Sequence, residues 1–232
     1  MMAVRRGASD ILIVDDDAGI RRVVTRALET AGYTARSVPD RASAIEELGE
    51  RSFALAILDV NLPDANGLDL CAEIHAAYGI PVVMLTVVVD EHDIVRALES
   101  GADDYVRKPF STRELVARVQ SVLRRAAPEE PAMQPLEAGP LRLDPDRHRV
   151  DVDGQPLTLT RTEFRLLALL VADAGHVLPH DQLLQEVWGV GYEGESHMLH
   201  VTISRIRHKL ARVTDANLIR TVAGKGYEFI PD

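Results

Sequence analysis

Cysteine is almost missing from this 232-residue chain, in which Cys71 is the only one. A lone thiol forms no internal disulfide, which fits a reducing, cytoplasmic setting. Long apolar runs are missing as well. The longest, Ile80 to Val89, has ten residues and includes Pro81 and Thr86, whereas a membrane-spanning helix needs about 20. No membrane partner is expected. Met1 to Ala8 carries Arg5 and Arg6 with no apolar stretch behind them before Asp10, so it does not read as a secretory signal. Positive charge is also in deficit: 26 basic against 36 acidic side chains leave a formal net charge of -10. Spread evenly, that charge would argue against a nucleic-acid binder, because phosphates need local Lys and Arg. What is present is enough apolar residue to build cores, 46% of the chain, which excludes disorder as the dominant state. The length suggests one large domain or two of about 100 to 130 residues.

From Asp10 to Arg125, five apolar strand candidates alternate with amphipathic helices: Ile11 to Val14, Thr34 to Val38, Phe53 to Leu58, Val82 to Thr86 and Asp104 to Arg107. Ile20, Val23, Val24, Ala27, Leu28 and Ala31 follow the helical period, and Ser111 to Glu114 reads as a capping box. Such repetition predicts a doubly wound, five-stranded parallel sheet of flavodoxin-like type, with ligands at the carboxyl ends of the strands. Ala126 to Pro135 holds three prolines and two glutamates without apolar periodicity and reads as a linker. Beyond it the pattern is α+β. Short strands near Leu141 to Leu143, His148 to Val152 and Pro156 to Leu159 precede a second capping box, Thr160 to Glu163. Three helices follow, to about Ala172, from His180 to Trp188 and from Ser196 to Arg212. Strands Leu218 to Val222 and Tyr227 to Ile230 close the chain around the turn Ala223 to Gly226. This order describes a winged helix-turn-helix. The expected boundaries are 8–125, a linker at 126–136, and 137–232.

Asp15 and Asp16 follow the first strand and Asp59 follows the third, so a parallel sheet would bring all three carboxylates to one edge. Two carboxylates about 4 Å apart repel by about 4 kcal/mol at an effective dielectric near 20. A hard cation such as Mg2+ would neutralise them and let one attack phosphorus, giving an aspartyl phosphate. Thr86 and Lys108 end the fourth and fifth strands, from which a hydroxyl and an ammonium can contact a phosphoryl group. Each residue alone has a plain structural reading: a helix cap for the aspartates, a strand end for Thr86, a surface position for Lys108. Their joint occurrence in this order favours the phosphoryl site.

In the third helix of the second domain, Leu199, Ile203, Ile206, Leu210 and Val213 form an apolar stripe, with His197, Ser204, Arg205, His208 and Arg212 toward the opposite side. Arg205, Arg207, Lys209 and Arg212 give it four basic residues and no acid between His197 and Arg212, the charge pattern of a helix that enters the major groove. The net charge is therefore unevenly distributed: -5 over residues 1–127, -2 over 128–136 and -3 over 137–232.

ILIVDDD, ILDVNLPDANGLDL, MLT and GADDYVRKPF resemble the receiver domain of two-component response regulators, over about residues 10–125. LTRTEFRLLALL, LLQEVWG, VTISRIRHKL and IRTVAGKGY resemble the effector domain of the OmpR/PhoB family. The resemblance implies a transcription regulator that is not itself an enzyme. Asp59 would be the phosphoacceptor; Asp16, Asp59 and the Asn61 carbonyl the Mg2+ ligands, with Asp15 acting through water; Thr86 and Tyr105 the switch pair. A sensor histidine kinase would be the donor. Phosphorylation would drive homodimerisation through a face containing Val95, Leu98, Asp104, Glu114, Val116 and Arg118, and the dimer would bind tandem half-sites on double-stranded DNA. Arg205 would read bases. Arg207, Thr202, His197 and Trp188 would meet the DNA backbone, Ser204 would be a further DNA contact on the same helix, and Lys225 would contact DNA from the wing tip. An RNA polymerase contact would fall in Gly189 to Glu195. Departures are visible: Val87 and Val88 make a bulky rim that cannot orient water, Ile94 removes a basic partner for Glu114, and His197, His200, Thr202, Ser204 and Ala223 replace frequent residues on the DNA side. They predict slow loss of phosphate and weak non-specific DNA binding. The competing readings are DNA binding independent of phosphorylation, and a Mg2+-dependent phosphohydrolase. The latter is disfavoured by Asp59-Val60-Asn61, which lacks a second carboxylate two residues on.

Overall fold

The computed structural model describes residues 10–87, 100–126 and 135–231. The chain divides into two compact units, Met1–Arg124 and Arg125–Asp232.

The first unit contains β1 (Asp10–Val14), α1 (Ala18–Thr30), β2 (Thr34–Val38), α2 (Arg41–Glu50), β3 (Leu55–Asp59), α3 (Gly67–Tyr78), β4 (Val82–Thr86), β5 (Asp104–Arg107) and α4 (Thr112–Ala126). Its parallel sheet has the order β2-β1-β3-β4-β5. β3 and β4 are buried at every residue, and β1 at all but the first. Continuous apolar strands of this kind are what a parallel sheet covered on both faces requires. Alternate residues Ile11, Ile13, Leu55, Ile57, Val83 and Leu85 share one core with Val24 and Leu28 of α1 and with Leu115, Val119 and Val122 of α4. α2 packs on β1 and α3 on β3. Truncating a residue as enclosed as Leu28 to alanine costs about 2 to 5 kcal/mol.

Local chemistry sets where the helices begin. The Asp17 carboxylate accepts from the N–H groups of Gly19 and Ile20 and starts α1, Asp40 accepts from Ser43, and Asn66 accepts from Leu68. α3 starts close against the end of β3: a Cβ on Gly67 would lie 1.9 Å from the Asp59 carbonyl oxygen. Glycine there lets the helix begin beside the strand end without displacing Asp59.

The second unit has a four-stranded antiparallel sheet, β6 (Leu136–Ala138), β7 (Leu141–Asp144), β8 (Arg149–Val152) and β9 (Gln155–Leu157). Next come α5 (Arg161–Ala172), β10 (Leu178–Pro179), α6 (His180–Val187), α7 (Ser196–Leu210) and the hairpin β11 (Ile219–Val222) and β12 (Gly226–Phe229). The capping box of α5 is complete: Thr160 accepts from the Glu163 N–H at 3.2 Å and the Glu163 carboxylate accepts from the Thr160 N–H at 2.7 Å. The three helices pack on one another.

Two strands lie outside the elements expected from sequence. β6 starts at Leu136, inside the expected linker, because Leu136 pairs across from Leu143. β10 has two residues and exists by pairing with β12, where Gly226 opposes Pro179. Strands this short carry no alternation to read. The expected linker residues 127–134 lie outside the described residues.

Candidate phosphoryl-acceptor and nucleic-acid sites

β1, β3 and β4 lie side by side, with Val14 level with Leu58 and Asp59 level with Leu85, so Asp15, Asp59 and Thr86 leave the sheet along one edge. Thr86 is level with Arg107, which puts Lys108 one residue beyond it, and the Lys108 N–H donates to the Thr86 carbonyl at 2.8 Å. Carboxylate oxygens of Asp15, Asp16 and Asp59 fall within 4.8 Å of one another. Asp15 and Asp59 are buried, whereas Asp16 is exposed. Lys108 Nζ stands 2.7 Å from Asp15 Oδ2 and 3.1 Å from Asp59 Oδ2. The other oxygen of Asp15 accepts from the Asp17 N–H at 2.9 Å. Asp59 Oδ1 is buried with no hydrogen-bond partner.

Burial pushes the Asp59 carboxyl above its ordinary value, and the Lys108 ammonium offsets only part of that effect. For Lys108 the balance is reversed: burial disfavours the charge, but bonds to Asp15 and Asp59 more than compensate and raise its pKa. A single ammonium thus bridges two carboxylates, leaving the cluster short of positive charge. Oxygen donors so close together, one of them buried and unpaired, fit a hard divalent cation. Tyr105 is 1% exposed, and its ring has the Arg118 guanidinium 5.4 Å and the Arg107 guanidinium 5.8 Å from its centroid. Asn61 is exposed and bridges to Asn66 on the loop that leads into α3. Val87, beside Thr86, is 58% exposed; Val88 lies outside the described residues.

Several residues of the expected dimer face have partners within the chain. Asp104 is fully buried, with Oδ1 2.9 Å from Arg118 Nη1, so this pair is satisfied inside the chain. Glu114 finds a partner in Arg118 at 3.5 Å, one turn along α4. Val116 does not share their face: two residues turn a helix by about 200°, and Val116 lines a groove of about 740 Å³ between α1 and α4 with Val23 and Arg113. Val95, Leu98 and Ile94 lie outside the described residues.

On α7, too, exposure departs from what the sequence suggested. Trp188 is 1% exposed, and Thr202 is buried with its hydroxyl donating to the Met198 carbonyl at 2.7 Å. His197 is buried and stands 3.3 Å from Glu195. These three side chains pack inward, against the exposure expected of them from the sequence. The cause is the wide apolar face of α7, which is enclosed by neighbouring helices and draws in flanking polar residues. Arg205 Nε sits 2.9 Å and Lys209 Nζ 2.7 Å from the carboxylate of Glu163, a residue with no solvent exposure on α5. Burial alone would raise the Glu163 pKa, but the charges of Arg205 and Lys209 lower it overall. Arg207 donates to the Ile219 carbonyl and to the Thr221 hydroxyl, both at 2.8 Å, and lies over the Tyr227 ring. His200, Ser204, His208 and Arg212 are exposed along one edge of the helix and just past its end, and Lys225 is exposed at the wing turn.

Residues 11–120 match the response regulator receiver domain family, and residues 154–229 match the family described as transcriptional regulatory protein, C terminal. The chain is 40% identical over 225 residues to the sensory transduction protein RegX3 of Mycolicibacterium smegmatis, covering 95% of this chain and 98% of that protein. It is 41% identical over 222 residues to the phosphate regulon transcriptional regulatory protein PhoB of Pseudomonas aeruginosa, covering 94% and 96%. The chain belongs to the OmpR/PhoB family of response regulators. Among solved structures, this response regulator is similar to DrrB, a Thermotoga maritima OmpR/PhoB homolog, with a TM-score of 0.53 and 29% identity over 97% of this chain and 100% of that one. A mutant of RitR aligns with a TM-score of 0.75 and 26% identity over 95% and 98%. Among the described residues of this response regulator, no helix is long and apolar enough to cross a membrane.

Sequence reasoning singled out all the residues at the sheet edge. It did not find the second role of Glu163, read only as a capping residue, or the ring cluster of His180, His200 and Tyr227. A glutamate that caps a helix gives no sign of also facing two basic residues some 40 positions away.

Proposed function

We propose that this response regulator acts in the cytoplasm, accepts a phosphoryl group on Asp59 from a sensor histidine kinase, dimerises, and binds tandem half-sites on double-stranded DNA to regulate transcription. The observation that carries the reading is the state of the Asp59 carboxylate: one oxygen is held by Lys108 and the other is buried and unpaired at the same edge as Asp15 and Asp16. Attack by that oxygen forms an O–P bond while the N–P bond of a donor phosphohistidine breaks and the imidazole leaves. Lys108 follows the charge onto the phosphoryl oxygens as a point donor, and Thr86 supplies a hydroxyl from the neighbouring strand. Asp15, Asp16, Asp59 and the Asn61 carbonyl would hold Mg2+, which when bound supplies charge neutralisation among the acidic oxygens. A hydroxyl drawn toward the phosphoryl group leaves room behind it for the Tyr105 ring, which gives the signal a route out of the site. On the DNA side, α7 would enter the major groove, with Arg205 held by Glu163 at the flank of the open edge and Lys225 on the wing meeting phosphate.

Treating the full chain with an acyl phosphate and Mg2+ tests the reading. One phosphoryl increment in intact mass is expected for the wild type and none for Asp59→Asn. DNA affinity should rise with the modification. An Asp59→Asn chain that gains the same mass removes Asp59 from the acceptor role, and equal DNA affinity with and without phosphate removes the switch.

A further inference from the structure

All three Arg and Lys residues of α7 have protein partners. Arg205 and Lys209 pair with Glu163, and Arg207 ties the helix to β11. The edge most exposed to solvent carries His200, Ser204 and His208, with Arg212 just beyond the helix and 3.1 Å from His208. These residues recur every fourth position and therefore follow one line along the helix. His200 is the anchored member. Its ring is 5.5 Å from that of His180, at 82°, and 6.3 Å from that of Tyr227, while His180 and Tyr227 are 5.5 Å apart. The three rings come from the recognition helix, the start of α6 and the wing strand β12. The His180 N–H also donates to the Lys225 carbonyl in the wing turn. Rings held in this way lose less rotamer freedom on binding than an isolated exposed side chain.

We propose that His200 is a sequence-determining residue of this regulator and reads guanine in the major groove, an inference that rests on the DNA-binding reading above. Guanine places two adjacent acceptors, N7 and O6, on the groove edge, and an imidazole N–H is a matching donor. Ser204 and His208 line the same path, and Arg212 lies where charge attracts the phosphates.

The test is selection of bound duplexes from a randomised pool by the full-length wild type, His200→Phe and His200→Asn, with thermal unfolding of each. His200→Phe keeps an aromatic ring against His180 and Tyr227 but removes both ring nitrogens. The wild type should enrich a motif with a G·C pair that His200→Phe no longer prefers, and the best site should bind this variant about tenfold more weakly. His200→Asn should move the preference at that one position toward adenine, which an amide contacts bidentately. Retention of the full wild-type motif by both variants overturns the assignment. If His200→Phe unfolds, the smaller His200→Asn decides alone by whether that position changes. A wild-type chain that enriches no motif overturns the DNA-binding reading and this inference with it.

Discussion

The carboxyl edge of the parallel sheet and the recognition helix present their polar residues by different means. At the sheet edge, Asp15, Asp59, Thr86 and Lys108 come from four strands and still meet, because parallel pairing with fixed register brings every strand end to the same line. On α7, residues within four positions of one another have different fates. Ser204 is exposed, Arg205 is held by a buried carboxylate, and Arg207 is bonded to the wing. Backbone hydrogen bonding determines the first arrangement, and the neighbours packed around the helix determine the second. The sheet edge is therefore a place where chemistry can be read from spacing, while on the helix charge by itself does not say which residues face a ligand.

The sharpest contrast is between losing a residue at each site. Asp59→Asn should abolish phosphoryl acceptance, a loss of at least about a hundredfold in labelling rate, while leaving the thermal transition of the second unit unchanged. Glu163→Gln should do the opposite. Removing the buried partner of Arg205 and Lys209 is expected to cost about 3 to 5 kcal/mol of stability in the second unit, read by urea denaturation, with labelling of Asp59 intact. A loss below about 1 kcal/mol would mean that Glu163 does not organise α7.

The same carboxylate carries a pH dependence. Its pKa is lowered in the folded chain, so its contribution is fully present above the unfolded value of about 4.3 and is lost as pH falls through the folded value. Acid titration of the full chain, followed by the fluorescence of Trp188 in the second unit, should show a stability loss below that point which Glu163→Gln lacks; parallel acid curves would break the link between burial and charge pairing. Arg207→Ala should have a smaller effect, about 1 to 2 kcal/mol from its three hydrogen bonds to two acceptors on β11, seen as faster amide exchange in β11 than in β7. Lys225→Ala is expected to have the least effect, weakening all DNA sequences alike and reducing the slope of log affinity against log salt by about one.

Much of the first unit was legible because its signals are local. Apolar strands end at polar residues, Asp17 and Asn66 cap helices within three positions, and the alternation of strands with helices implies the parallel sheet. The second unit was legible in element order and in the capping box of α5, but less so on its surfaces. Thr202 and Trp188 look like polar or amphipathic surface residues by type, and only packing reveals them as buried. Val116 was placed on one face with Glu114 and Arg118 through the family resemblance, yet the helical turn points it toward α1. β6 and β10 were not foreseeable, since each is too short to have a pattern and exists only through its partner strand.

By itself the sequence determined that this protein has an acidic edge built from strand ends, a basic third helix in a second domain, and family membership in both halves. The first two follow from periodicity and spacing, which short-range sterics and backbone hydrogen bonding translate directly into structure; the third rests on the resemblance of its motifs to known relatives. Tertiary structure decided which charges are available. It commits Arg205 and Lys209 to Glu163 and Asp104 to Arg118, leaves one oxygen of Asp59 without a partner, and turns a line of His200, Ser204 and His208 outward. The physical reason is that a charge removed from water must find a partner at any sequence distance, and only the packed chain brings that partner within reach.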